Sequence, residues 1–201
     1  MTSLLVEMHV LPLFVDISRL KLALVGNGET ARRRLGLLEE AGAVQLDVFA
    51  EAPSPLLATE AGARLERRWP SHEELARAQI VFVADAPASV RAAVSRAARV
   101  LGVLVHVEDE PTLSDAQMPA VLRRGGLTLA VSTGGASPAL ATRVRDFLGA
   151  LFGQEWRGRL EEVSRLRRVW REAGMAPSEV AELTDAWVSR RGWLSGFASR
   201  H

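Results

Sequence analysis

Gly26, Gly28 and Ala31 stand at the spacing Gly-x-Gly-x-x-Ala, directly after the apolar run Leu22-Ala23-Leu24-Val25. That spacing suits a dinucleotide: the first glycine makes a tight turn, the second lets backbone approach a pyrophosphate, and the small third residue lets helix pack on strand. A helix beginning at Glu29 offers its free N–H groups to the same anion. Such turns also arise for packing alone, but Glu51, just after the next apolar run, is placed to accept from a ribose 2′-hydroxyl. Asp47 is a competing acid in mid-strand. A carboxylate there favours NAD over NADP, whereas Arg32, Arg33 and Arg34 are either a competing cationic cluster or a solvated helix face.

A second group of reactive types lies farther along. Asp109 follows the apolar run Val103 to Val107, on the edge where open α/β sheets bind ligands. It reads either as an acid–base residue, its pKa raised by an apolar cleft, or as a turn aspartate ahead of Pro111. His106, on the same strand, is either a packed, hydrogen-bonded residue or an aid to proton transfer. Ser132-Thr133-Gly134-Gly135 presents either an anion nest of backbone N–H groups or a tight turn leading to a helix cap at Ser137.

These residues need a scaffold, and the chain supplies an alternation of short apolar runs with amphipathic stretches, the pattern of parallel strands joined by crossover helices. Strands are expected at 22–25, 46–50, around 64–68, 80–84 and 103–107. Helices are expected from Glu29 to Gly42, from Leu56 to Gly62 and from Pro87 through Val100. The unbroken apolar run Ile80 to Ala84 reads as a central strand buried on both faces. Past Pro111 the rhythm changes: 120–124 and 127–131 are separated only by Gly125-Gly126, which makes a hairpin. Ser137 and Pro138 then open a helix to about Phe152. From Glu155 the chain reads helical, with Leu160, Val163, Leu166, Val169 and Trp170 as a stripe and a second helix from Ser178 to about Val188. The fold class is α/β, Rossmann-like, with three parts: a nucleotide-binding domain at 1–112, a small strand and helix segment at 113–150 and a helical domain at 151–201.

Composition narrows the function classes. A chain of 201 residues that is 48% hydrophobic can bury a core. A net charge of +1 spread along its length gives no field to attract nucleic acid or a membrane surface. The absence of cysteine removes disulfides, thiolate nucleophiles and cysteine metal sites, and fits a reducing cytoplasm. Glu7 and Asp16 beside Leu4, Val6, Val10 and Leu11 do not make a signal peptide, and no apolar run approaches a membrane span. A soluble, cytoplasmic protein is expected.

Several segments together resemble the N-terminal domain of siroheme synthase and the stand-alone precorrin-2 dehydrogenases. They are Leu11-Pro12-Leu13-Phe14, the Gly26 to Ala31 turn with Arg32-Arg33, Ala84-Asp85, Val107-Glu108-Asp109-Glu110-Pro111, Met118-Pro119 and Val131 to Pro138. Their order fits that family across roughly residues 9 to 190. Asn27 stands where the family usually has a middle glycine, Thr30 where it has valine, and Ser114-Asp115-Ala116-Gln117 is more polar than the family's segment. The chain reaches His201 without the large methyltransferase domain of fused siroheme synthases. Uroporphyrinogen methylation is therefore expected to lie with another protein.

The resemblance implies a homodimer whose dimerisation segment, 113–150, exchanges or packs across the two-fold, and which uses NAD to oxidise precorrin-2 to sirohydrochlorin, with ferrous iron as a further substrate if the protein also makes siroheme. It implies nucleotide contacts at Glu29, Thr30, Glu51 and Ala52, with Ala84 and Asp85 close by. Asp109 matches the family's proposed catalytic aspartate, and Thr133 falls where some relatives carry a phosphorylated serine. The substrate's many carboxylates make Arg123, Arg124, Arg143 and Arg145 candidates for orienting it, against the plain reading of solvated arginines. Trp156, Trp170, Trp187 and Trp193 read as packing, and Arg165, Arg167 and Arg168 as helix surface. Two rival functions compete with the dehydrogenase: a non-catalytic NAD-sensing regulatory module, which leaves the Asp109 segment unexplained, and a lone ferrochelatase, which has no need of the glycine turn.

Overall fold

A computed structural model describes residues 10–195. Leu4, Val6 and Glu7, used above to weigh a leader, lie outside the described residues. The chain divides into two compact units, residues 1–118 and 119–201.

In the first unit a five-stranded sheet is built from β1 (Lys21–Val25), β2 (Gln45–Phe49), β3 (Leu65–Glu66), β4 (Ile80–Val83) and β5 (Leu104–Val107). All neighbours pair in parallel, in the order β3-β2-β1-β4-β5. The connections are α1 (Glu29–Glu40), α2 (Pro55–Ala61), the short α3 (His72–Leu75) and α4 (Ala88–Leu101). Alternation along each strand sends side chains to two cores. Leu22, Leu24, Val48 and Phe82 pack with Ala31, Leu35 and Leu38 of α1 and Leu57 of α2. On the other face Ala23, Val25, Val81, Val83, Val105 and Val107 pack with Val94 and Ala98 of α4. This two-sided covering is why β4 is apolar at every position, and all four of its residues are buried. The order of strands reverses between β1 and β4, and the C-terminal edge beside such a reversal is the place where doubly wound sheets receive ligands.

In the second unit β6 (Ala120–Arg124) and β7 (Leu127–Val131) form the antiparallel hairpin read from Gly125-Gly126. The Ser137 side chain accepts from Leu140 N, and Pro138 opens α5 (Pro138–Leu151). Next come α6 (Trp156–Glu172) and α7 (Pro177–Arg191). The expected three-part division meets two units because α6 packs over the hairpin turn. A Cβ on Gly125 would lie 2.8 Å from Arg157 Cγ, and one on Gly126 would lie 3.1 Å from Leu160 Cδ2. Among the described residues no helix is long and apolar enough to cross a membrane.

Candidate functional site

The glycine turn is shaped by what it crosses. Gly26 sits at φ 157°, and a Cβ there would fall 1.5 Å from the Ala84 carbonyl oxygen. The chain can leave β1 over the end of β4 only if that residue is glycine. Its N–H donates to Phe49 O at 2.9 Å, so the turn also closes against β2. Gly28 is the N-cap residue of α1 and brings no side chain to the cap. A Cβ on Gly28 would meet Asp85 Oδ2 at 2.7 Å. Ala31 is fully buried beneath the turn, as its place in the fingerprint requires.

Asn27, the departure from glycine, ties two loops together. Its Oδ1 accepts from Ala52 N at 3.1 Å, and its carbonyl accepts from Ser54 N at 2.7 Å. Glu51 and Ala52 are thereby held beside the turn, and the Glu51 carboxylate is exposed with no ion pair among the described residues. Sequence reasoning marked Asn27 only as a departure from glycine, because its partners are 25 residues or more away.

The arginine run after the turn separates into three roles. Arg32 pairs with Glu29 at 2.7 Å and with Glu60 at 2.9 Å. The hydrogen bond from Arg32 holds the Glu29 carboxyl below its ordinary range. Arg33 reaches only Thr30 Oγ1, at 3.5 Å. Arg34 turns inward, is 8% exposed, and pairs with Glu108. Two of the three cations are thus engaged by carboxylates, and among the described residues Arg33 is the one member of the run that is not.

Two non-glycine residues among the described ones adopt positive φ: Asp85 at 53° and Asp109 at 57°. Both follow strands, β4 and β5, on the C-terminal edge of the sheet, and left-handed backbone outside glycine is a recurrent mark of functional positions. Asp85 Oδ2 accepts from Thr30 N at 2.5 Å and Ala31 N at 3.2 Å. Asp109 is exposed and makes no hydrogen bond or ion pair among the described residues. It stands two strands from the glycine turn, roughly 10 Å at the usual strand spacing.

The chain around Asp109 is firmly anchored. Glu108 N donates to Val83 O and Glu110 N to Val107 O. Glu110 pairs with Arg91 at 3.0 Å. The Ser114 hydroxyl accepts from Val107 N at 2.9 Å and reaches the carbonyls of Val107 and Glu110. Asp115 and Ala116 both donate their N–H groups to Val105 O. The unusually polar 114–117 segment therefore runs back along β5. His106 is mostly buried: Nδ1 lies 3.1 Å from Ala116 O and so carries the donated proton, while Nε2 is 3.5 Å from Glu108 Oε2. The ring packs edge-on to Phe82.

The residues proposed to meet a polycarboxylate lie in the second unit. Arg123 and Arg143 are exposed and without ion pairs among the described residues. Arg124 is occupied: Nε donates to Phe152 O at 2.8 Å and Nη2 to Gly149 O at 3.3 Å, satisfying carbonyls at the end of α5. Arg145 is paired with Asp146. The Thr133 hydroxyl accepts from Ser137 N at 3.1 Å and donates to Ser137 O at 3.0 Å, closing the turn before α5. Arg159 lies over both Trp156 and Trp193, 5.0 and 5.5 Å from their ring centres, so these tryptophans are engaged in packing. Among the described residues no cluster of three or more His, Asp or Glu is placed to hold a metal ion.

Comparison with known proteins follows the same division. Residues 13–120 match a family model described as "Putative NAD(P)-binding", and residues 124–151 match one described as "Sirohaem biosynthesis protein central". A siroheme synthase of Methylococcus capsulatus is 39% identical over 140 residues, covering 69% of this chain and 30% of that protein. Siroheme synthase 2 of Aeromonas salmonicida is 33% identical over 207 residues, covering 94% of this chain and 42% of that protein. The chain thus spans less than half the length of these relatives. A solved structure named SirC, precorrin-2 dehydrogenase, superposes with a TM-score of 0.70 at 23% identity, covering 95% of this chain and all of that one. It shares the fold.

Proposed function

Because the chain belongs to the NAD(P)-binding family matched over residues 13–120, carries the match to the sirohaem biosynthesis central segment at 124–151 and is similar to siroheme synthases, we propose that it oxidises precorrin-2 to sirohydrochlorin with NAD. The residues fit such a cofactor. Gly26 and Gly28 leave no room for a Cβ, and α1 opens directly after them with no side-chain cap from Gly28. Gly26, Gly28, Glu29, Thr30 and Ala31 would hold the pyrophosphate, Glu51 and Ala52 the ribose, and Ala84 and Asp85 would flank it. The engagement of Arg32 and Arg34 by carboxylates favours NAD over NADP.

When bound, NAD supplies the acceptor for the hydride that leaves the reduced macrocycle. The accompanying proton needs a base, and Asp109 has the attributes of one: an exposed, unpaired carboxylate on the same sheet edge as the glycine turn. That juxtaposition is the observation that carries the reading. Arg123 and Arg143 have free donors with which to orient substrate carboxylates. Arg124 and Thr133 would support them by fixing the hairpin and the turn. The same carboxylate would accept pyrrole protons if ferrous iron is a further substrate. Leu140, Val144 and Phe147 expose an apolar stripe on α5, in the segment expected to dimerise, which supports a homodimer. A cytoplasmic site of action is the setting that suits this reading.

Purified protein incubated anaerobically with precorrin-2 and NAD should form NADH together with sirohydrochlorin, and Asp109→Ala should lose that turnover. A parallel run with ferrous ion and sirohydrochlorin reports insertion. NAD binding without oxidation, under conditions where a known dehydrogenase works, would replace the enzyme with a sensing module.

A further inference from the structure

Helix α1 starts without a side-chain cap of its own, because its N-cap residue is Gly28. The free amides of Thr30 and Ala31 are met instead by Asp85, which reaches them from 55 and 54 residues away. These amides open the helix that follows the glycine turn, and in strand, turn and helix sites of this kind they are where a pyrophosphate rests. Carboxylate and phosphate are both oxyanions, and both are drawn by the same N–H groups and the same positive end of the helix dipole. The two therefore compete for one seat.

We propose that Asp85 is a resident anion in the pyrophosphate seat, which the dinucleotide must displace in order to bind. The inference rests on reading the glycine turn as a NAD site. Two features make the occupancy reversible. Asp85 Oδ2 is held by these two amides and, among the described residues, by no cation: Arg32 and Arg34 are paired elsewhere. Its backbone is fixed independently, since Ala84 N donates to Val25 O at 2.9 Å and Asp85 O accepts from Asn27 N at 3.4 Å. Rotation about the side-chain torsions alone removes the carboxylate, without shifting β4 or the turn. Docked, it satisfies the helix opening in the free protein. Displaced, it leaves to the cofactor a seat whose geometry is already set. Gly28 serves both states, because a Cβ there would collide with the docked carboxylate as well as crowd a phosphate.

The cost of displacement falls on ligands that carry phosphate and spares those that do not. Binding of NADH, ADP and adenosine to the full chain should be measured by calorimetry for wild type, Asp85→Asn and Asp85→Gly. Both replacements tolerate the left-handed backbone, and thermal melts establish that they fold. Removing the charge should tighten NADH and ADP about tenfold, the scale of a charge at a helix terminus, and leave adenosine unchanged. Unchanged or weaker NADH binding in the folded variants overturns the proposal, as does equal tightening of adenosine. A crystal structure of the wild-type complex is a second readout: Asp85 still bonded to Thr30 N with NAD present also overturns it. If wild type and variants all bind neither NADH nor ADP, the dinucleotide reading itself fails and this inference with it. Binding by wild type with no change on substitution rejects this inference alone.

Discussion

Arg34 and Glu108, 74 residues apart, form an ion pair that joins the first turns of α1 to the residue preceding Asp109. Glu108 also has the His106 ring at 3.5 Å. Contact with His106 and the pairing with Arg34 outweigh burial and hold the Glu108 carboxyl at about 2, well below the ordinary glutamate range.

A carboxyl depressed in the folded state contributes stability above its unfolded value and loses it as pH falls through the folded one. Glu108 should therefore stabilise the fold at neutral pH, with the contribution disappearing between about pH 5 and pH 2, to the extent of roughly 2 kcal/mol after allowance for partial solvent screening. Urea melts across that range should show a shallower acid loss for Glu108→Gln than for wild type. Identical pH profiles would mean the pair is energetically silent.

Arg34→Ala leaves Glu108 partly buried without its guanidinium, and should cost about 3 kcal/mol in denaturant melts, as expected for a broken buried pair. Arg145→Ala, which removes an exposed pairing with Asp146, should cost under about 1 kcal/mol. Equal effects would contradict the burial contrast.

Glycine is needed at one position of this region and merely present at another. Gly26→Ala places a methyl group against the Ala84 carbonyl and should weaken NADH binding at least about a hundredfold or prevent folding. Gly36 lies within α1, where a Cβ meets nothing within 4 Å. Gly36→Ala should raise stability by about 0.5–1 kcal/mol, read as a higher melting temperature.

Asp109→Asn keeps a side chain that tolerates left-handed backbone but removes the base. Turnover with precorrin-2 should fall by about a hundredfold to ten-thousandfold, while the NADH dissociation constant stays within about twofold of wild type. A matching loss in cofactor affinity would make Asp109 a binding residue instead.

Phe147→Glu puts a charge in the exposed apolar stripe of α5. In analytical ultracentrifugation the proposed homodimer should become a monomer, with the melting of the α/β unit unchanged. A variant that stays dimeric would move the interface elsewhere.

Much of this fold was written locally. The glycine hexapeptide, the two glycines between β6 and β7, and the Ser137-Pro138 cap each act over a few residues, so their elements fell where spacing put them. The short α3 carried a comparable signal in Ser71 and Glu74, which close a capping box, but four residues are too few to show a period. The contacts that shape the site are of another kind. Asp85 with Thr30, Asn27 with Ala52 and Arg34 with Glu108 join segments far apart in sequence, and side-chain type alone does not select such partners. Arg34 illustrates the limit: in a run of three arginines it reads as surface, yet its helical phase, three residues from buried Ala31 and four from buried Leu38, turns it inward. Arg124 shows the converse, a candidate for substrate whose donors the fold had already drawn onto the end of α5.

The bridge from Asn27 to Ala52 and Ser54 bears on when disorder is lost. Fixing a loop residue costs about 1–2 kcal/mol of backbone entropy. A turn with glycine in the middle would leave the segment after β2 freer until a ligand settled it. Here the asparagine side chain and backbone already hold the segment in the folded chain. On the proposed reading, a nucleotide arriving at Glu51 would find a surface whose conformational search is over, and more of its contact energy would be expressed as affinity.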